Sequence, residues 1–212
     1  DLAAGNDRLV LGDFVNTVTV TNVETIVGGS DDDEVIFGAA ITGAVVDLGD
    51  GDDTLTFDAS GATVTVANVE TVTGSAADDV VTLGGQATGV ILDLDDGDDT
   101  LVLGAFVNTV TVSNVETVTG GASSDTVTLA TQATGMVIDL AGGSDELVLG
   151  DFANTVSVAH VETLVGGTDD DEVVLTAQST GASIDLGDGD DVLTLGAFVN
   201  TVTVSNVETI TG

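Results

Sequence analysis

Asp47-Leu48-Gly49-Asp50-Gly51-Asp52-Asp53-Thr54-Leu55-Thr56-Phe57 is the stretch on which the fold of this chain turns. An acidic, glycine-rich turn runs directly into a strand whose apolar residues, Leu55 and Phe57, stand two apart. Alternation with period two puts that pair on one face and Thr54 and Thr56 on the other. The acidic motif begins at Asp47 and recurs from Asp93, Asp139 and Asp185, at a constant step. A second marker, Asn-Val-Glu-Thr, begins at Asn22, Asn68, Asn114 and Asn206, and His160 takes the Asn position of the remaining copy. Two markers sharing one period signify a repeat architecture.

Working outward, Gly also falls at positions 5, 28, 51, 74, 97, 120, 143, 166, 189 and 212, two to each step of the acidic motif. The apolar pair recurs from Leu9 and Leu11 through Val81 and Leu83 to Leu193 and Leu195. One such unit cannot bury its apolar face alone, whereas stacked units share a continuous core. The expectation is an all-β, right-handed parallel β-solenoid of about nine coils of ~23 residues, with a 46-residue double-coil repeat, forming one domain over residues 1–212. At roughly 4.8 Å per coil the rod is about 43 Å long. An antiparallel sandwich also uses short regular strands. Hairpins, however, give no reason for a fixed register of Gly and acid.

Composition narrows the function. Of 212 residues, 37 are acidic, Arg8 is the one basic residue besides His160, and the net charge is −36. Nucleic acid is excluded as a partner, because phosphate neutralisation needs several Lys or Arg. An anionic membrane is repelled for the same reason, and no apolar run reaches the ~20 residues of a span. Disorder is the usual fate of highly charged chains, yet 42% of residues are hydrophobic and Val, Thr and Ile abound. The apolar content suffices for a core, so the charge must be managed in some way other than disorder. With no Cys there is no disulfide framework, and with no Lys trypsin is left only Arg8, which suits an extracellular, secreted or cell-surface protein.

Two acidic rows follow from the same spacing. The first is Asp1, Glu24, Asp47, Glu70, Asp93, Glu116, Asp139, Glu162, Asp185 and Glu208. It reads either as a solvated face or as a metal row. The second is Asp7, Asp33, Asp53, Asp79, Asp99, Asp125, Asp145, Asp171 and Asp191, with no exchange to Glu. Stacked about 5 Å apart, two such charges repel by about 1 kcal/mol in water and about 3–4 kcal/mol at an effective dielectric of 20. Repeated along a rod, that exceeds the ~5–15 kcal/mol stability of a domain. A cation between coils removes the repulsion. An all-oxygen donor set without a His or Cys cluster selects a hard ion, and Ca2+ with 6–8 flexible oxygen ligands fits better than Mg2+.

Gly28-Gly29-Ser30-Asp31-Asp32-Asp33-Glu34-Val35-Ile36 resembles the nonapeptide G-G-x-G-x-D-x-U-x of the RTX (repeats-in-toxin) β-roll. Gly120-Gly121-Ala122-Ser123-Ser124-Asp125-Thr126-Val127-Thr128 is similar, and Leu48 to Thr56 matches from its second position. In that family, turn carbonyls and the Asp bind Ca2+ between coils while the U residue fills the core. The resemblance implies that Asp33, Asp53 and Asp125, and by position Asp7, Asp79, Asp99, Asp145, Asp171 and Asp191, are calcium ligands. Asp32, Asp52, Asp78, Asp98, Asp170 and Asp190, one residue earlier, are candidate extra ligands. RTX coils are shorter than the coil expected here and carry a calcium turn at both ends. In this chain one turn carries the motif, so one calcium row is expected.

No catalytic constellation appears. His160 stands in an Asn ladder, and identical acids in every coil do not make a unique active site, so the chain is read as a non-enzyme. Both ends fall inside a coil without a polar cap, which fits either a slice of a longer repetitive protein or copies that stack head to tail, since an open strand templates pairing. The outward positions Val10, Ile36, Thr56, Thr82, Val102, Thr128, Val148, Val174 and Thr194 form one largely apolar stripe. The expected function is therefore a calcium-stabilised extracellular fibre, surface-layer or biofilm-matrix protein whose partner is itself, head to tail or laterally. The alternative is an adhesin repeat binding ice or glycan through Thr17-Val18-Thr19, Thr63-Val64-Thr65, Thr109-Val110-Thr111 and Thr201-Val202-Thr203, a rank expected on every second coil.

Overall fold

Every strand of the chain hands over, through a turn, to a strand of the opposite sheet. The computed structural model describes residues 1–58 and 60–212. In it 23 short strands alternate between two wholly parallel sheets, one of twelve strands and one of eleven. Each strand pairs with the strands two before and two after it in sequence. This is the expected all-β parallel solenoid. No helix occurs among the described residues.

The coil is somewhat shorter than the spacing of the markers suggested. Thr63 pairs with Val80, and Val80 in turn pairs with Thr100. This short step and longer step recur along both sheets, and both are smaller than the spacing of the glycines. The reason is that the 46-residue repeat contains five strands. Arg8–Val10 lies in the twelve-strand sheet, its copy Thr54–Phe57 in the eleven-strand sheet, and the next copy Thr100–Val102 in the twelve-strand sheet again. Five strands are two and a half coils, so successive repeats face opposite ways.

The apolar pairs of the sequence form the core. Val35, Leu55, Val81, Leu101, Val127, Leu147, Val173 and Leu193 are fully buried, and of the pairs only Leu9 and Leu195, at the two ends, are partly exposed. Parallel register stacks like on like: Val35 on Leu55 and Phe37 on Phe57, the two rings 6.1 Å apart. Between coils there is no spare room. A Cβ on Gly120 would lie 2.4 Å from the Leu140 carbonyl oxygen of the neighbouring coil, and Gly28, Gly74 and Gly166 are equally pressed. The Gly that follows each of these in the evenly spaced series, such as Gly143 at φ +158°, serves a turn instead. The even glycine spacing thus joins two unrelated requirements.

The outward stripe read as one row is divided between the sheets, with Val10, Thr82 and Val102 on one and Ile36, Thr56 and Thr128 on the other. Threonines are also ranked more closely than every second coil. Thr54 and Thr56 pair with Thr71 and Thr73 on the adjacent coil, and Thr109 and Thr111 pair with Thr126 and Thr128. The strand between these two sets presents Ile91 and Asp93.

Candidate cation site: the carboxylate ladders

The nine-member Asp row sits where the turns enter the strands. Because repeats face alternate ways, it is two rows rather than one. Asp33, Asp53, Asp125 and Asp145 open strands of the eleven-strand sheet; Asp7, Asp79, Asp99, Asp171 and Asp191 open strands of the twelve-strand sheet. Both edges of the solenoid carry the motif.

On each edge a side-chain oxygen accepts the backbone N–H of the ladder residue one coil before. The Asn108 N–H donates to Asp125 Oδ1 at 3.0 Å. The Asp125 N–H donates to Asp145 Oδ1 at 2.7 Å, and the Asp145 N–H to Glu162 Oε2 at 2.9 Å. The same order runs from Asn154 through Asp171 and Asp191 to Glu208. It also runs from Asn16 through Asp33 and Asp53 to Glu70. The Asn side chains add a second donor: Asn108 Nδ2 reaches Asp125 Oδ1 at 2.9 Å. The Glu half of the first acidic row therefore belongs to the buried Asp ladders. Its Asp half does not. Asp47, Asp93 and Asp185 accept from the Nδ2 of Asn68, Asn114 and Asn206, and Asp139 meets His160 Nδ1 at 2.7 Å. His160 has φ 50°, matching its Asn counterparts, and makes the same kind of contact to an Asp.

The ladder aspartates are sealed. Asp33, Asp53, Asp79, Asp99, Asp125, Asp145, Asp171 and Asp191 are at most 2% exposed. One carboxylate oxygen of each is used as described. The other, Oδ2, is buried and has no hydrogen-bond partner among the described residues in Asp7, Asp33, Asp53, Asp99, Asp125, Asp145, Asp171 and Asp191. A buried polar atom without a partner costs about 1–3 kcal/mol, and more when charged. Burial accordingly pushes the Asp99 carboxyl up to about 7 and those of Asp53 and Asp145 up to about 6, helped by the neighbouring carboxylates and opposed by the backbone N–H each accepts. Asp171 and Asp191 are raised as well, again chiefly by burial.

Glycine makes room for these carboxylates. A Cβ on Gly143 would lie 2.8 Å from Asp145 Oδ1 and 2.6 Å from the Ser123 carbonyl oxygen of the coil before. Asp31, Ala77, Ser123 and Asp169 occupy the same motif position on the preceding coil, where Gly is not required; Gly51, Gly97, Gly143 and Gly189 press against their backbones.

The candidate extra ligands lie outside this sealed column. Asp32, Asp52, Asp78, Asp98, Asp170 and Asp190 are exposed. They stack in pairs through the backbone, the Asp52 N–H donating to Asp32 Oδ1 at 2.9 Å and the Asp190 N–H to Asp170 Oδ1 at 2.8 Å. Ser124 and Ser144 fill that place in the third repeat. Among the described residues no three Asp, Glu, His or Cys side chains converge on one point. A cation at Oδ2 would thus need turn carbonyls for the rest of its shell. The Asn members of the ladders escaped the sequence reading, although Asn16, Asn108, Asn154 and Asn200 recur in step with the repeat, and the Glu residues were read as a separate row. Comparison with family models, with curated proteins and with solved structures finds no match to this chain.

Proposed function

We propose that this chain is a calcium-stabilised extracellular structural protein that self-assembles into a fibre, surface layer or biofilm-matrix polymer, built on RTX-like turns. The observation that carries the reading is the set of sealed Oδ2 atoms without partners, on both edges of a chain with net charge −36. Arg8 and His160 are its only side chains able to bear positive charge. A divalent cation supplies the missing partner and cancels the like-charge repulsion together. Asp7, Asp33, Asp53, Asp99, Asp125, Asp145, Asp171 and Asp191 would hold Ca2+ with turn carbonyls, an all-oxygen set suited to a hard ion. Asp32, Asp52, Asp78, Asp98, Asp170 and Asp190 lend charge from the rim.

Self-association follows from the same periodicity. Each coil presents to the next a row of strand N–H and C=O groups, so a second copy can continue both parallel sheets. The test is removal of calcium by a chelator, followed by circular dichroism and by imaging of filaments. Loss of β signal and of filaments, both restored by added Ca2+, is expected. An unchanged fold and unchanged assembly would sink the reading.

The adjacent threonine ranks, Thr54 and Thr56 on Thr71 and Thr73, support a second reading as an adhesin repeat for ice or glycan. Ile91 and Asp93 interrupt that array. Thermal hysteresis and glycan-binding measurements separate this reading from the first.

A further inference from the structure

The four repeats do not treat their first ladder aspartate alike. Asp33, Asp125 and Asp171 each accept from an Asn Nδ2, that of Asn16, Asn108 and Asn154, at Oδ1, and each has a partnerless Oδ2. In the turns that lead into them stand Gly29, Gly121 and Gly167. In the second repeat both neighbours change together. Ala62 stands where the Asn would be, and Ser75 stands where the Gly would be.

Both changes act on Asp79. With Ala62 the Asn donor is gone, and among the described residues only the Ala62 N–H reaches Asp79 Oδ1, at 2.6 Å. Ser75 adds a hydroxyl at the other oxygen, toward which its backbone N–H also points, as that of Gly167 does toward Asp171. Its N–H donates to Asp79 Oδ2 at 2.8 Å and its hydroxyl lies 3.2 Å from the same atom. Ser75 is 3% exposed, so this contact is as sealed as the carboxylate itself. A side chain is tolerated there because the coil before has changed too. A Cβ on Gly121 or Gly167 would strike the carbonyl oxygen of Gly104 or Gly150 at 1.7 and 2.0 Å. The matching position in the second repeat is Asp58, not Gly.

We infer that Ser75 takes the place of the cation at Asp79, making the turn into Val80–Leu83 a ligand-independent step within an otherwise cation-dependent solenoid. The inference rests on the proposed calcium reading for what happens at the other three aspartates. Asp99, the next ladder member, keeps a partnerless Oδ2 and remains a candidate ligand. The chain thereby holds one patch that stays formed when calcium is scarce and from which neighbouring coils can be rebuilt when calcium returns.

The experiment uses the full chain and the variant Ala62→Asn/Ser75→Gly, which gives the second repeat the residues of the others. In metal-free buffer, hydrogen exchange of the strand Val80–Leu83 should be at least about tenfold slower than that of Thr126–Leu129 and Glu172–Leu175. The variant should lose this advantage. Calorimetric titration with CaCl2 should then show one more ion bound per variant chain. Ser75→Ala, which removes only the hydroxyl, should lose part of the protection without gaining an ion. Equal exchange in the three strands of the wild type overturns the inference, and so does calcium binding with the same stoichiometry in wild type and variant. If the wild type takes up no calcium, the calcium reading falls, and the exchange comparison alone still decides the role of Ser75.

Discussion

The backbone N–H of Asp125 donates to the carboxylate of Asp145 one coil further on, at 2.7 Å, while the second oxygen of that carboxylate, buried, has no partner. One side chain thus seals a turn and carries an unanswered charge. The two effects separate by mutation. Asp145→Ala leaves the Asp125 N–H buried without an acceptor and is expected to cost about 1–3 kcal/mol in any buffer. Asp145→Asn keeps an acceptor and removes the charge. In metal-free buffer at pH 7 it should match or exceed the wild type, and its gain in stability on adding Ca2+ should be smaller. Urea midpoints with and without Ca2+ give both quantities. If Asn proves as damaging as Ala in metal-free buffer, charge burial is not the cost.

Stability without metal should fall as pH rises. The carboxyls of Asp53 and Asp145 are raised from 3.8 to about 6, and that of Asp99 to about 7. Between those values the folded chain binds more protons than the unfolded one, so protonation favours the fold. The contribution is present in full below about pH 4 and is lost progressively up to about pH 7. Thermal midpoints of metal-stripped protein between pH 4 and pH 8 should therefore decline, and saturating Ca2+ should flatten the decline. A midpoint that climbs over this range would contradict the buried-carboxylate description.

Two glycines of opposite character give a packing test. Gly120→Ala puts a Cβ 2.4 Å from the Leu140 carbonyl oxygen, so two coils must part. Gly135 has φ +75° and nothing within 4 Å of its would-be Cβ, so Gly135→Ala introduces only backbone strain. The first should prevent cooperative folding or cost several times more than the second, for which about 1–3 kcal/mol is expected. Chemical denaturation ranks them.

His160→Asn should be nearly silent, within about 0.5 kcal/mol at pH 7. His160 shares the left-handed backbone of Asn114, φ 50° against 51°, and the same kind of bond to an Asp of the coil before. His160→Val, β-branched at positive φ, should destabilise clearly. A large loss with Asn would reveal a role for the imidazole beyond the turn.

Much of the fold was legible in residues taken a few at a time. Leu55 and Phe57, two apart and repeated, named the strand and its buried face before any coordinates. The Asp ladder was legible as chemistry, since Asp at nine equivalent positions beside Gly suggests a shared contact. Its partners were not. Nothing local ties Asn108 to Asp125 or Asp145 to Glu162, because each bond joins residues distant in sequence that meet only when the coils stack.

By itself the sequence determined the repeat, the strands, the buried face and the shortage of positive charge, since period, side-chain volume and ionisation belong to residues and their immediate neighbours. Only the tertiary structure decided the number of strands per repeat, the number of ladders and which carboxylate oxygens lack partners. Turn backbones close against the coil beneath through contacts between residues far apart in sequence, as where Gly143 packs on Ser123. Each repeat holds five strands. Five is odd, so each repeat turns its back on the last, and one row of aspartates in the sequence becomes two in space.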